Sequence, residues 1–335
     1  MRAGYGEKTR EFFANKTNPM LLIDFAGVKI FESATVDTNI LLFAKSNNLH
    51  KTVCAVINKQ NKESIKNLSD FVQQQDTICD FSTSDSWVVL SPIEQSIKKK
   101  IEAVGTPLKD WDIQINYGIK TGCNEAFIIS PEKRKEILDN CQTEDERKRT
   151  AELIRPILRG RDIKKYGYVE NGLFLINTHN GIRGKLPRID INDYPAVKAH
   201  LDRYWDKISA RADKGDTPYN LRNCAYLEDF NKPKIIYPDI CTFLSFELDT
   251  SCFYLSNTAY FLITEKEEHL KYFLRVLNSS VMDWYYRTLS VQLGEKAVRM
   301  FSIYVLNIPI PPISDEPIEE ILKLSKEEKL FISGS

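Results

Sequence analysis

Five short clusters carry side chains suited to gripping a polyanion, and none of them carries a complete catalytic set. Lys120, Thr121 and Asn124 sit on a turn bounded by Gly118 and Gly122. Arg159 and Arg161 flank Gly160 ahead of Asp162, which can pair with either arginine. Arg183, Lys185 and Arg188 share a segment with Gly181 and Gly184, and Arg211, Lys214, Asn220, Arg222 and Asn223 surround Gly215. Lys296 and Arg299 form a smaller group. Lys, Arg and the backbone N–H groups of Gly turns are the usual partners of phosphate oxygens. Residues 155–222 hold 14 Lys/Arg against 8 Asp/Glu, a balance of +6, so the rest of this neutral chain carries −6. The same window contains Tyr166, Tyr168, Tyr194, Tyr204, Trp205 and Tyr219. Basic residues interleaved with aromatics and Gly turns suit a surface facing phosphates. A solvated helical face has the same composition, and a tight structural hairpin has the same turn at 118–122.

Motifs for other chemistries are missing. There is no Gly-x-Ser-x-Gly elbow and no Gly-x-x-x-x-Gly-Lys-Ser/Thr phosphate loop. Gly4-Tyr5-Gly6 follows no strand, so it does not read as a methyl-donor loop. Pro238-Asp239 precedes Glu247-Leu248-Asp249, which lacks the lysine of a nuclease pattern. His50, His179, His200 and His269 have no partner at metal-ligand spacing and read as structural or exposed. The seven cysteines are odd in number and form no Cys-x-x-Cys, which argues against a disulfide framework and a zinc site, and for reduced thiols in a cytoplasmic protein. The expectation is therefore no catalytic residue and no metal site in this chain.

The elements that must hold these clusters follow from apolar patterning. A helix is expected over residues 6–17, then strands at 21–25 and 38–43 with 27–31 between them as further strand and turn. Residues 61–75 read as helical, 87–90 as a short strand, and 92–104 as a helix with Ile93, Ile97 and Ile101 on one face. Strands are expected at 113–115, 126–129, 173–176, 234–237, 252–255 and 259–263, and an alternating stretch at 301–310. Helices are expected over 131–153, 194–208 and 269–289, and an acidic amphipathic one over 315–330 after the stiff 309–312 prolines. The interleaving gives a mixed α/β (α+β) class. At 335 residues, with 42% apolar and 27% charged side chains, the chain has material for two or three ordinary globular domains. No 18-residue apolar run and no signal-peptide core occur.

Five segments in order resemble adenine-N6 DNA methyltransferases of the fused type IIG restriction–modification class. Ile23-Asp24-Phe25-Ala26-Gly27-Val28-Lys29-Ile30-Phe31 and its continuation to Ile40 look like late catalytic-domain strands. Asn116-Tyr117-Gly118-Ile119-Lys120-Thr121-Gly122-Cys123-Asn124-Glu125-Ala126-Phe127 looks like the opening of a TaqI-like target-recognition domain. Ile157-Leu158-Arg159-Gly160-Arg161-Asp162-Ile163, Pro233-Lys234-Ile235-Ile236-Tyr237-Pro238 with Leu277-Asn278-Ser279, and Ile308-Pro309-Ile310-Pro311-Pro312 follow. The resemblance implies four parts: residues 1–50 as the C-terminal strands of a methyltransferase domain, 51–110 as a connector, 111–312 as a two-lobed recognition domain and 313–335 as a terminal helix. Such enzymes bind S-adenosylmethionine and flip the adenine into an Asn/Asp-Pro-Pro-Tyr/Phe motif. Asn18-Pro19-Met20 is not that motif. The catalytic part is thus expected to be missing, with no cofactor in this chain and with S-adenosylmethionine, and Mg²⁺ for any nuclease domain, belonging to the parent enzyme.

The expected partner is double-stranded DNA, read by the five clusters, with a catalytic methyltransferase or nuclease domain or subunit beside it. Arg grips guanine bidentately and Asn or Gln grips adenine, so each cluster contains the right donors. The 183–188 and 211–223 loops are the favoured contacts. Two other readings remain open at this point. One is a docking module for a separate catalytic subunit, as in type I specificity subunits, with the acidic helix after Pro312 as its docking element. The other is a nuclease with an unrecognised centre.

Overall fold

The structure is a computed structural model that describes residues 6–25, 28–33, 38–58, 61–74, 77–290, 292–293 and 297–334. It divides into two compact units. One comprises Met1–Pro107, Ser280–Arg299 and Asn307–Ser335, and the other Leu108–Ser279 with Met300–Leu306. The class is mixed α/β, with several small sheets and helices between them.

In the first unit, the strand Asn18–Asp24 pairs antiparallel with Asn39–Ala44 and parallel with Thr52–Val56, and Ile78–Cys79 closes the sheet on the far side. Leu22 and Ile23 point to opposite faces, as successive strand residues must. Leu22 packs with Ala14, Cys54, Cys79, Phe81 and Trp87, and Ile23 with Phe25, Val28, Ala55 and Ile57. Both faces are therefore covered. The helix Pro92–Val104 opens on a Ser91/Glu94 capping box with proline in its first turn and buries Ile97 and Ile101. The terminal helix Lys326–Gly334 packs through Glu328, whose carboxylate takes bonds from Ser96 Oγ (2.6 Å) and Lys100 Nζ (2.6 Å) of that helix.

Two sheets build the second unit. In the first, Glu247–Asp249, Lys234–Pro238, Ala259–Ile263 and Gln114–Tyr117 run antiparallel in that order. In the second, the order is Tyr254–Leu255, Ile154–Leu158, Phe174–Ile176, Ile128–Ile129. Ile236 and Phe261 from one sheet and Leu158, Leu175 and Leu255 from the other share a single apolar core. Lys234 and Asp249 face each other in register and form a fully buried ion pair of 2.6 Å. The Arg-Gly-Arg segment closes on the turn before Ala259: Gly160 N–H donates to Thr258 Oγ1 (2.9 Å). A Cβ on Gly160 would stand 2.1 Å from Thr258 O, so only glycine fits there.

Several expected elements are differently drawn. Residues 87–90 form no strand; Trp87 stacks on Phe81 at 4.7 Å and donates to Thr83 O, so this apolar run fills core without entering a ladder. Val28 to Phe31 is also outside any strand, and Ala26, Gly27 and residues 34–37 lie outside the described residues. Residues 124–127 are one helical turn ahead of the short Ile128–Ile129 strand. The alternation at 301–310 resolves into the helical turn Ser302–Val305 and the pair Pro309–Ile310, because so short an alternation does not separate the two periods. The long helices are each broken: at 140–143 by a new Thr143 N-cap, at Arg203–Tyr204, at Asn278–Ser279, and between Ile318–Ile321 and Lys326–Gly334.

Candidate nucleic-acid interface

Two loops of the second unit, residues 178–189 and 211–225, are sewn together by side-chain amides. Thr178 Oγ1 donates to Tyr219 O (2.7 Å), and Leu221 N–H donates to Thr178 O (2.8 Å). Asn220 Nδ2 donates to Ile189 O at 2.9 Å and reaches His179 O at 3.4 Å. Asn180 Oδ1 accepts the Asp216 N–H (2.9 Å), while its Nδ2 donates to Asp216 and Asn223. The first loop folds back on itself through an Ile182↔Leu186 bridge, with Gly181 and Gly184 in the left-handed region. Between the loops lies an open groove of about 860 Å³, lined by residues 180–188, Asp216 and Asn223–Ala225.

The groove carries cations whose partners are exposed. Lys185 pairs with Glu228, and Arg188 with Asp216 at 3.5 Å. Arg183 is exposed and has no carboxylate partner among the described residues. Beside the groove, Arg222 and Lys120 both pair with Asp213, at 3.4 and 3.0 Å. The hydrogen bond from Lys120 holds the Asp213 carboxyl below the usual range. His179 is pushed down by burial, so it is neutral at neutral pH, and its Nδ1 accepts the Gly181 N–H (3.2 Å). Lys214 is exposed and donates to Ser209 O at 2.6 Å.

Three expected contact residues lie inside the fold. Arg211 is buried, lies 4.4 Å over the Phe127 ring and donates to the carbonyls of Thr121, Asp213, Pro218 and Asn220. Burial lowers its pKa to about 10, which leaves the guanidinium charged at neutral pH. Asn220 and Thr121 are each 1% exposed. Thr121 Oγ1 donates to Asn124 Oδ1 (2.6 Å) and also accepts the Cys123 N–H. These residues close the loops, because inward-facing carbonyls must find donors. Arg159 is taken up by Asp162, which accepts its Nε at 2.9 Å and Nη2 at 3.1 Å; burial works against the Asp162 charge, but these bonds outweigh it and lower its pKa. Arg161 is exposed, as are Asn124 and Asn223. Arg299 is half-buried in the other unit, where its carbonyl accepts the Tyr286 hydroxyl (2.6 Å). Lys296 lies outside the described residues.

The groove unites the two favoured loops and leaves the remaining clusters out of its lining. It also contains Asn180 and Asp216, which sequence reasoning did not single out. Their signal was local: Asn before Gly181 and Asp after Gly215 are turn-forming pairs. Among the described residues, no group of three or more His, Cys, Asp or Glu is arranged to hold a metal. No described helix is long and apolar enough to cross a membrane.

Comparison with known proteins adds an independent line. Residues 155–310 match the family described as the TaqI-like C-terminal specificity domain. Type II methyltransferase M.PaeR7I of Pseudomonas aeruginosa is 22% identical over 237 residues, which is 70% of this chain and 38% of that protein. Among solved structures, the type IIG restriction endonuclease BpuSI aligns over 98% of this chain and 40% of its own, with 14% identity and a TM-score of 0.45. The type IIL restriction-modification enzyme MmeI, solved in complex with DNA, aligns over 87% of this chain and 35% of its own, with 12% identity and a TM-score of 0.49. The chain spans two-fifths or less of the length of each of these relatives.

Proposed function

We propose that this chain, which matches the TaqI-like C-terminal specificity domain family over residues 155–310 and is similar to a type II methyltransferase, recognises a specific sequence in double-stranded DNA. The observation that carries the reading is the coincidence of that family match with the basic 155–222 window and with the groove between the 178–189 and 211–225 loops. Arg183, Lys185, Arg188 and Arg222 are its contact side chains. The carboxylates facing Lys185 and Arg188 are solvent-exposed, whereas Asp213, which faces Arg222, is only 23% exposed. Exposed ion pairs are worth about 0–1 kcal/mol each, so a phosphate or a guanine edge replaces the carboxylate at little cost. Asp216 and Glu228 then serve discrimination, since a carboxylate accepts from cytosine N4 and repels a misplaced phosphate. Asn124 and Asn223 supply exposed amides for adenine.

The parent activity suited to this module is adenine-N6 methylation from S-adenosylmethionine, with or without DNA cleavage, carried by parts outside this chain. Alone, the chain is then inactive as an enzyme. The proposed parts remain 1–50, 51–110, 111–312 and 313–335, although strands 52–56 and 78–79 join the sheet of 18–24 and residues 280–299 and 307–312 fall in the first compact unit. One observation favours a docking role in addition. Asn39–Ala44 is the outermost strand of its sheet and exposes Ile40, Leu42 and Phe43. An open apolar edge suits continuation by a catalytic domain or subunit.

The test is a random-duplex selection with the purified chain at two salt concentrations. Enrichment of a short motif at both is the expected result. Salt-sensitive binding without a motif would assign specificity to a catalytic domain or subunit acting with this chain. No binding even at low salt would overturn the DNA reading for this chain and leave the docking role.

A further inference from the structure

A second cationic element of the same unit lies outside the groove lining. Ile163–Lys164 pairs antiparallel with Gly167–Tyr168, with Lys164 opposite Gly167, so that Lys165 and Tyr166 form a two-residue hairpin tip. Arg161, Lys164 and Lys165 are all exposed. The one acid among residues 161–165, Asp162, is buried and held by Arg159. Among the described residues, no carboxylate pairs with Arg161, Lys164 or Lys165. Lys164 Nζ instead donates to Arg161 O (2.7 Å), and Lys165 Nζ lies 6.0 Å from the Tyr166 ring centre. Tyr166 is 55% exposed and sits at φ +56°, a left-handed conformation that side-chain-bearing residues seldom adopt. Its N–H is fixed to Phe246 O at 3.1 Å.

The contrast with the groove is chemical. Most of the groove's cations face carboxylates that must be displaced before a ligand binds, which favours discrimination between sequences. The hairpin's cations make no ion pair among the described residues, and its aromatic tip is held out by the backbone rather than buried. We propose that residues 161–166 form a phosphate grip that holds the sugar–phosphate backbone of duplex DNA independently of sequence, with Arg161, Lys164 and Lys165 as the phosphate partners. The grip rests on the DNA-recognition reading, and it sets affinity and salt dependence while the groove sets sequence preference.

The experiment compares the full chain with R161A/K164A/K165A and with R183A/R188A. Affinity for the selected duplex and for a scrambled duplex is measured by fluorescence anisotropy over a range of KCl concentrations. Each phosphate contact contributes about 0.9 to the slope of log K against log salt. The triple variant is expected to lower that slope by about 2–3, to weaken binding of both duplexes by the same factor, and to leave the selected motif unchanged. The groove variant is expected to alter the motif. The hairpin side chains are exposed, so an unchanged circular dichroism spectrum and unfolding midpoint serve as the folding control. An unchanged salt slope in the triple variant, or a loss confined to the selected duplex, overturns the grip while leaving DNA recognition standing. Absence of duplex binding by the unsubstituted chain overturns both.

Discussion

Asn278 holds the backbone of Phe246 from both sides: its Oδ1 accepts the Phe246 N–H at 3.0 Å and its Nδ2 donates to Phe246 O at 2.8 Å. Both residues are buried. The same Phe246 carbonyl accepts the N–H of Tyr166 at the hairpin tip. One amide side chain at the end of the helix Glu268–Leu277 thus fixes the strand entry at 246, to which the cationic hairpin is tied.

Asn278→Ala should therefore destabilise the second unit by about 2–4 kcal/mol, because two buried backbone groups lose their partner. Asn278→Asp should be nearly as costly, since a carboxylate oxygen would then face the Phe246 carbonyl. Urea unfolding checks the magnitude. Hydrogen exchange checks the route, with faster exchange expected at Phe246 and Tyr166. Unchanged exchange at Tyr166 would show that the hairpin is held independently of Asn278.

The Lys234–Asp249 pair makes an asymmetric prediction. Lys234 also donates to Phe230 O (2.7 Å), while Asp249 accepts the N–H groups of Ser251 (2.8 Å) and Phe253 (3.0 Å). Burial pushes the Lys234 pKa down, against the attraction of Asp249. Breaking such a pair from one side costs about 3–5 kcal/mol, because the remaining charge is stranded. Lys234→Met should fall in that range. The double variant K234M/D249L should recover only part of the loss, because Ser251 and Phe253 keep their unpaired donors. A double-mutant cycle by urea unfolding measures the coupling, and full recovery would refute the structural role given to the two N–H groups.

Much of this fold was legible where the sequence patterns are local. The apolar runs at 21–25, 234–237 and 259–263 fall on the strands Asn18–Asp24, Lys234–Pro238 and Ala259–Ile263 because their side chains have core to fill on the sheet faces. The helix Pro92–Val104 followed from its Ile spacing. The breaks were not legible. Asn278, where the helix Glu268–Leu277 ends, is held by Phe246, 32 residues away, and no periodicity carries that information. The same limit applied to the site. Composition placed Arg183 and Arg211 in equivalent polar loops. Only the closed loop shows that four inward carbonyls take Arg211 inside and that Arg183 stays out. Asn180 was missed because a turn residue and a loop-to-loop clamp look alike in one sequence.

The groove's first loop distinguishes two glycines. Gly181 and Gly184 have φ of +74° and +75°. A Cβ at 181 would stand 2.5 Å from Leu186 O and 2.7 Å from Arg188 N, whereas a Cβ at 184 meets nothing within 4 Å. Gly184→Ala should cost about 1 kcal/mol from backbone conformation alone. Gly181→Ala should cost clearly more, about 2–4 kcal/mol, and should displace Arg188 from the groove. On the DNA reading, G181A lowers affinity for the selected duplex while G184A leaves it nearly intact. Equal effects of the two would mean that the loop rearranges freely.

The terminal helix supplies a pH test. Burial alone would raise the pKa of Glu328. The hydrogen bonds from Lys100, Ser96 and the Ser325 N–H outweigh it and bring the carboxyl to about 2, against an ordinary value near 4.5. A carboxyl lowered in the folded state gives its full stabilisation above its unfolded pKa. That stabilisation is lost as pH falls from about 4.5 through about 2, as the folded state comes to bind the same proton as the unfolded one. Glu328→Gln removes the charge at every pH. The stability of the unsubstituted chain relative to E328Q should therefore be largest at pH 6–7 and shrink by about 2 kcal/mol on going to pH 2.5. Thermal or urea unfolding at both pH values reads the difference. A constant gap between the two proteins would mean that Glu328 titrates normally and that its bonds to Ser96 and Lys100 do not hold the helix in solution.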